Sequence, residues 1–192
     1  MKLLVLTAPS GAGKTTIARR LMDEVPGLRF SVSATTRPAR EGEENDVHYH
    51  FLTLGEFSER LEAGEFLEHE EVYPGRFYGT LRPDLEALAA QDDVRAVVLD
   101  IDVKGAVNVK RLYGAAALTL FVRPPSLAAL AERLHGRGTE PPDRVAERLE
   151  RAKMEISMAT EFDAVVVNDD LDTAVAETVA LVRAFLDAPG EV

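Results

Sequence analysis

Residues 3–16 read LLVLTAPSGAGKTT, and this stretch decides which fold the chain can adopt. Lys2–Thr7 is a nearly continuous apolar run, which is typical of a strand buried on both faces of a parallel sheet. From residue 13 to residue 24, apolar side chains recur at helical spacing. They are Ile17, Ala18, Leu21 and Met22. The stretch therefore predicts a strand, a glycine-rich loop and a helix in immediate succession.

The loop, Ala8–Thr15, nearly fits the phosphate-binding pattern G-x-x-x-x-G-K-[ST], the P-loop. Its glycines let backbone N–H groups point at phosphate oxygens, and the helix N-terminus adds positive potential. Lys14 would reach the β- and γ-phosphates of a nucleotide, and the Thr15 hydroxyl would ligate Mg²⁺. Ala8 replaces the first glycine of the pattern, which a small residue with negative φ satisfies. A dinucleotide fingerprint fits less well, because it needs a glycine where the chain has Thr16.

Buried strands and helices alternate along most of the remaining chain, which predicts an α/β fold with a parallel sheet. Apolar runs predict further buried strands at Val94–Ile101, Ala116–Val122 and Phe162–Val167. Helices are predicted over 55–63 and 84–91, after the capping residue Ser126, from Pro141 to about Met158, and over 171–187. The region 30–80 breaks the alternation and predicts a small mixed β insertion, with strands at Phe30–Ser33, Val47–Leu52 and Phe66–Val72.

The chain has 192 residues, a length that fits one domain. Asp and Glu number 33 against 22 Lys and Arg, and the net charge of −11 disfavours binding to nucleic acid or anionic membranes. The absence of cysteine excludes disulfides, Cys-ligated metal sites and thiol nucleophiles. The first apolar run is too short for a signal peptide or a membrane span. We therefore expect a cytoplasmic protein that binds neither nucleic acid nor membrane.

Several further motifs together resemble those of the guanylate kinases, in the order in which that family has them. They are SVSATTRPAR at 31–40, YHF at 49–51, GEFLE at 64–68, YGT at 78–80, DID at 100–102, PPS at 124–126, RG at 137–138 and VNDDL at 167–171. The resemblance implies a P-loop kinase core, a nucleotide-binding insertion and a helical lid within a single domain, 1–192. The core would comprise 1–29, 81–122 and 151–192, the GMP-binding insertion 30–80, and the lid 123–150.

The residues expected to bind GMP can be read in part from their chemistry. Arg37 and Arg40 can grip one phosphate through charge-assisted bonds, to which Tyr49 and Tyr78 can add hydroxyl donors. The Glu68 carboxylate only accepts, so it suits the adjacent N1–H and amino group of guanine and would oppose the lone pair on N1 of adenine. The resemblance adds three residues. Ser33 and Thr80 read the O6 and N7 side of guanine, and Asp102 lies on the amino side.

On the ATP side, the resemblance implies a phosphate loop, arginines that close over the phosphates and an adenine contact. The expected ATP-binding residues are Ala8, Pro9, Ser10, Gly11, Ala12, Gly13, Lys14, Thr15, Thr16, Arg133, Arg137 and Asn168, the last on adenine. The expected catalytic residues are Lys14, Arg133, Arg137 and Arg148. Asp100 ends a predicted strand where P-loop proteins hold the acid of the Mg²⁺ shell, so Thr15 and Asp100, the latter through water, are the expected metal residues.

Five residues depart from the family pattern, and all lie on the predicted GMP side. They are Asp46, Pro74, Arg76, Phe77 and Lys104. Asn and Asp tolerate left-handed backbone, so the loop at Asp46 can still turn. Pro74 is an additional residue between Glu68 and Tyr78.

The motifs predict an ATP:GMP phosphotransferase that uses Mg²⁺ and also accepts dGMP. One alternative is a P-loop kinase of another phosphate ester, such as a ribose bisphosphate, although a sugar has no guanine edge for Glu68 to read. A second is a non-enzymatic module of guanylate-kinase shape that binds phosphopeptides. Gly13, Lys14, Thr15 and the lid arginines argue against it, because such modules lose P-loop function.

Overall fold

The computed structural model describes residues 1–135 and 142–189. Its strands are β1 Leu3–Thr7, β2 Leu28–Phe30, β3 Ala34–Thr35, β4 His50–Phe51, β5 Phe66–Tyr73, β6 Arg76–Leu81, β7 Ala96–Asp100, β8 Ala117–Arg123 and β9 Ala164–Val167. Its helices are α1 Lys14–Glu24, α2 Leu54–Glu62, α3 Arg82–Ala89, α4 Val103–Tyr113, α5 Leu127–His135, α6 Pro142–Ser157 and α7 Leu171–Asp187. No helix in these ranges is long and apolar enough to cross a membrane.

Five strands form a sheet in the order β2-β7-β1-β8-β9. The pairs β2–β7 and β8–β9 are parallel, with Leu28 opposite Ala96 and Leu120 opposite Ala164. Every residue of β1 is buried, which explains why its sequence is apolar without alternation. The predicted α/β fold with a parallel sheet is confirmed.

The other four strands form a smaller sheet in the order β4-β3-β6-β5. Strand β3 pairs in parallel with β4 and antiparallel with β6, and β5 and β6 are antiparallel, so this sheet is mixed as predicted. Its apolar cluster joins the sheet to α2, with Phe57 stacked on Phe66 at 4.3 Å between ring centroids. The cluster gives the small sheet a core of its own.

The chain divides into two compact units. Unit 1 comprises Met1–Val5 and Gly27–Ala117, and unit 2 comprises Leu6–Pro26 and Leu118–Val192. In unit 2, α1 packs against α7, and α5 packs against α6 around Leu130, Leu134 and Val145. The expected core, GMP-binding insertion and lid remain predictions, because they are functional divisions and these units are divisions by packing.

Several elements differ from the sequence predictions. Strands β3 and β6 were not predicted, and the predicted strand Val47–Leu52 is shorter, at His50–Phe51. The predicted strand Phe30–Ser33 is wrong, because β2 ends at Phe30 and the next strand begins only at Ala34. Helix α4 was not predicted at all, although Asp102 caps it and Val103, Ala106 and Val109 are buried along one face. Gly105 in its first turn weakens the helical pattern, since glycine is a poor helix former.

Candidate active site

The phosphate loop owes its shape to two glycines. Gly11 and Gly13 have φ angles of 94° and 99°, in the left-handed region that favours glycine. Gly13 is also the N-cap of α1, with no side-chain cap and no acidic residue in the first turn. The helix N-terminus is therefore left to an external anion. Ala8 does not have a positive φ, which explains how alanine replaces glycine at the start of the loop.

Asn168, which follows β9, braces this loop from within unit 2. Its side-chain Nδ2 donates to the Ala12 carbonyl at 2.7 Å, and the residue is 5% exposed. A Cβ at Gly13 would lie 2.1 Å from the same Nδ2, so only glycine fits there. Arg133 donates to the Asn168 carbonyl at 2.9 Å. The structure thus gives Asn168 a loop-bracing role that the sequence did not suggest, and its adenine contact remains a prediction.

Helices α5 and α6 bring further predicted residues to the loop. Arg148 on α6 donates to the Ser10 hydroxyl, and Leu130 and Leu134 of α5 lie against Gly11. The structure therefore brings Arg133 and Arg148 to the phosphate loop. Arg137 lies outside the described residues.

The predicted metal residues are distributed over the two units. Thr15, like Thr16, is exposed in the first turn of α1, and Asp100 is half-buried at the carboxyl end of β7. Hydroxyl and carboxylate oxygens are hard donors of the type that Mg²⁺ prefers. In the ranges 1–135 and 142–189, no three His, Asp or Glu side chains cluster closely enough to hold a metal by themselves. Joint ligation by Thr15 and Asp100 remains a prediction.

In unit 1, an arginine predicted to hold phosphate is already paired with a carboxylate. Arg37 is 6% exposed and binds Glu43 through two bonds, of 2.6 and 2.7 Å. The backbone N–H of Arg40 donates to the same carboxylate at 2.8 Å. The Arg37 bond lowers the pKa of Glu43 to about 2, and the same bond raises the pKa of Arg37. Glu43 was not among the sequence predictions; its position three residues after Arg40 was the available signal.

Two tyrosines predicted to bind phosphate lie beside this ion pair. The Arg37 guanidinium lies 4.8 Å from the centroid of the Tyr49 ring, and Tyr49 meets Tyr78 edge-on at 6.1 Å between centroids. Arg40 is exposed beside them. The structure thus brings together Arg37, Tyr49 and Tyr78, around a site that already holds an anionic side chain.

The predicted guanine reader, Glu68, is buried on β5. It is 6% exposed, and its Oε1 accepts from Thr80 Oγ1 at 2.7 Å across the β5–β6 pair. Burial raises the pKa of Glu68 to about 7, and the nearby charges of Asp102 and Glu70 act in the same direction. Asp102 caps α4, where its Oδ1 accepts from the backbone N–H of Lys104. Ser33 is half-buried just before β3.

The departures from the family pattern have physical explanations here. Asp46 has a φ of 62°, as its turn requires, and its carboxylate lies 2.7 Å from Nδ1 of His50. Phe77 packs on the Phe57 ring of the small sheet's apolar cluster. Lys104 pairs with Glu70 at 2.6 Å.

Pro74 forms the β5–β6 turn with Gly75, and the β5 ladder shifts register just before it, between Glu71 and Tyr73. The turn and this shift accommodate the additional residue. Nothing in the structure explains the arginine at position 76, which is exposed on β6.

Comparison with known proteins decides the family. The family model described as guanylate kinase matches residues 1–185. The chain belongs to the guanylate kinase family. It is 56% identical over 186 residues to the guanylate kinase of Salinibacter ruber, covering 97% of each chain. It is 47% identical over 185 residues to that of Chlorobium chlorochromatii, covering 96% of each.

Solved structures support the assignment to the guanylate kinase family. The crystal structure of guanylate kinase from Anaplasma phagocytophilum matches with a TM-score of 0.77 and 32% identity, covering 97% of this chain and 87% of that one. A shikimate kinase from Bacteroides thetaiotaomicron matches with a TM-score of 0.53 and 19% identity, covering 97% and 99%. The second likeness shows the shared kinase fold alone.

Proposed function

We propose that the chain transfers the γ-phosphoryl group of MgATP to GMP, and also to dGMP, to give ADP and the nucleoside diphosphate. The observation that carries the proposal is the buried Glu68 carboxylate, bonded to Thr80 and lying in the same compact unit as Arg37, Tyr49 and Tyr78. A buried hydrogen-bond acceptor together with side chains that can bind phosphate suits a purine nucleotide whose base edge carries N–H groups.

Base recognition follows from the chemistry of Glu68. When ionised, its carboxylate accepts from the N1–H and the amino group of guanine. Adenine presents a lone pair at N1, which would leave a buried charge unpaired at a cost of several kcal/mol. Thr80 donates to Glu68 Oε1, so it fixes the carboxylate. By the family resemblance, Ser33 and Thr80 read the O6 and N7 side, and Asp102 lies on the amino side. Because the Thr80 hydroxyl carries one hydrogen, it would donate to the base only when it releases Glu68 Oε1.

The phosphate of GMP is both the bound anion and the nucleophile. Arg37, Arg40, Tyr49 and Tyr78 hold it, and its second pKa of about 6 makes it largely a dianion at neutral pH. A phosphate oxygen attacks the γ-phosphorus and the bond to ADP breaks. The reaction therefore needs no covalent enzyme intermediate and no general base.

On the donor side, the N–H groups of loop 8–16 and the Lys14 ammonium hold the β- and γ-phosphates. Arg133 and Arg148 neutralise charge on the transferring group, and the same role is proposed for Arg137. Thr15 and Asp100 would hold Mg²⁺, which neutralises phosphate charge when bound. The contacts of Arg148 with Ser10 and of Asn168 with Ala12 support this arrangement of the loop.

The phosphate grip can be tested at Arg40, which is exposed and therefore contributes little to stability. Arg40→Ala is expected to weaken GMP binding by about 1.5–3 kcal/mol, the value of a lost charge-assisted bond, with ATP affinity unchanged. Calorimetric titration with each nucleotide measures both, and Arg111→Ala, an exposed arginine on α4, is the control. An equal loss for ATP would contradict the assignment of Arg40 to the acceptor side.

Glu68 also predicts a pH dependence. Because burial raises its pKa to about 7, the free protein holds much of this carboxyl protonated at neutral pH. Only the ionised form accepts from guanine, so kcat/KM for GMP is expected to rise between about pH 6 and about pH 8. Steady-state rates across that range measure it. In Glu68→Gln only the titration of the GMP phosphate, at about 6, should remain.

Glu68 should also make the stability of the folded chain depend on pH, in the direction opposite to that of kcat/KM for GMP. The folded chain keeps the Glu68 proton up to a pKa of about 7, whereas the unfolded chain loses it near the ordinary value of 4.5. Stability therefore falls as the pH rises through this interval and levels off above it. Glu68→Gln should accordingly raise the melting temperature more at pH 8 than at pH 5, by thermal unfolding.

The function is tested by ADP release in a coupled assay with GMP, dGMP, AMP and a ribose bisphosphate as acceptors. We expect turnover with the two guanine nucleotides and little with the others. Turnover with the sugar phosphate alone would support the first alternative. Absence of any turnover, together with phosphopeptide binding, would support the second.

A further inference from the structure

The carboxylate of Glu68 lies against the backbone of Gly105, in the first turn of α4. A Cβ built on Gly105 would lie 2.5 Å from Glu68 Oε2 and 3.2 Å from Glu68 Cδ. Non-bonded carbon and oxygen atoms do not approach to 2.5 Å, so no side chain fits at position 105 while Glu68 keeps this position. The φ of Gly105 is not in the left-handed region, so space, and not backbone conformation, calls for glycine here.

The two sides of this contact are held to different degrees, Glu68 by a side-chain hydrogen bond and Gly105 by the backbone of a packed helix. Glu68 Oε1 is held by Thr80 Oγ1 at 2.7 Å, which directs Oε2 towards α4. The Gly105 N–H donates to the capping carboxylate of Asp102 at 3.2 Å, and Gly105 and Ala106 are buried where α4 packs against β5. The group that can yield is therefore the end of the Glu68 side chain, not the helix.

We propose that Gly105 is a positioning residue for base specificity: its missing side chain sets where Glu68 Oε2 lies, and hence whether the carboxylate meets both donors of guanine. This inference rests on the proposed function. A methyl group at position 105 displaces the carboxylate by about an ångström, a misplacement that can cost about 10²-fold in rate. Because a flexible carboxylate end absorbs the displacement, the chain still folds.

The test compares Gly105→Ala with Gly55→Ala. Gly55 also lies in the first turn of a helix, α2, but its added Cβ would meet nothing closer than Thr53 Oγ1 at 3.9 Å. Gly105→Ala is expected to lower kcat/KM for GMP by about 10- to 100-fold and to narrow the preference for GMP over AMP by a similar factor. KM for ATP should stay within about twofold. Gly55→Ala should leave all three quantities within about twofold.

A double-mutant cycle decides whether Gly105 acts through Glu68. In a Glu68→Ala background the space is empty, so Gly105→Ala should cause no further loss of GMP binding and no further fall in melting temperature. Additive losses would overturn the proposal. So would a Gly105→Ala chain that fails to fold in both backgrounds, or one that loses GMP and AMP equally.

The same experiment separates this proposal from the proposed function. Wild type and Gly55→Ala report whether the chain phosphorylates GMP, whatever Gly105→Ala does. Active wild type with an unaffected Gly105→Ala would refute the positioning role and leave the kinase assignment intact.

Discussion

Lys14→Ala is expected to lower the rate of phosphoryl transfer by about 10³-fold or more while the chain stays folded. Catalysis of this reaction consists mainly of positioning and charge neutralisation, so a missing cation at the β- and γ-phosphates is not replaced by another group. Lys14 lies half-buried at the first position of α1, beside the glycine that caps the helix, and not in the apolar core. Its loss should therefore cost little stability.

The measurement is single-turnover transfer from ATP to GMP, with thermal unfolding as the check on folding. Lys153→Ala is the matched control, since Lys153 is an exposed lysine of α6 that pairs with Glu150. Equal turnover with and without Lys14 would refute the role of Lys14 in phosphoryl transfer.

Glu68→Gln is expected to lower kcat/KM for GMP by about 10²–10³-fold, which corresponds to about 3–4 kcal/mol for a lost charged bond and a mispaired polar group. The change is nearly isosteric and removes a buried carboxyl whose pKa is raised to about 7, so folding should survive it. The new amide would set a donor against the donors of guanine. AMP should lose little, because its N1 can accept from that amide.

Parallel rates with GMP and AMP measure this change in preference. Glu71→Gln is the control, because Glu71 is exposed on the same strand and accepts from the backbone N–H of Gly75. An equal fall for both nucleotides would make Glu68 a structural residue and leave base choice unexplained.

Much of the fold and part of the site could be predicted from the sequence. A buried parallel strand such as β1 can be predicted from sequence because both of its faces must be apolar. The loop after β1 can be predicted as well, because its positive φ angles require glycine. The break in alternation predicted a mixed sheet, but two strands of that sheet, β3 and β6, were not predicted. Helix α4 was not predicted because Gly105 in its first turn is a poor helix former. The close contact with Glu68 explains why glycine is nevertheless present there.

The unpredicted part of the site consists of contacts between distant residues. The motifs identified Arg37 and Asn168 but not the residues that they contact. The two bonds from Arg37 to Glu43 and the bond from Asn168 to Ala12 depend on side-chain directions within the folded units, which a motif does not specify. A pattern of residue types states which chemistry is present. It does not state which of those groups are already satisfied within the protein.

The bond from Asn168 to Ala12 also bears on the order in which the molecule is completed. The phosphate loop is synthesised before the amide that braces it, which follows 156 residues later in the chain. The same compact unit contains residues 6–26 and residues 118–192. Helix α1 therefore cannot pack against α7 until α7 has been synthesised. A chain growing on the ribosome therefore carries its nucleotide-binding motif before the motif is complete, and the loop is braced only after Asn168 has emerged.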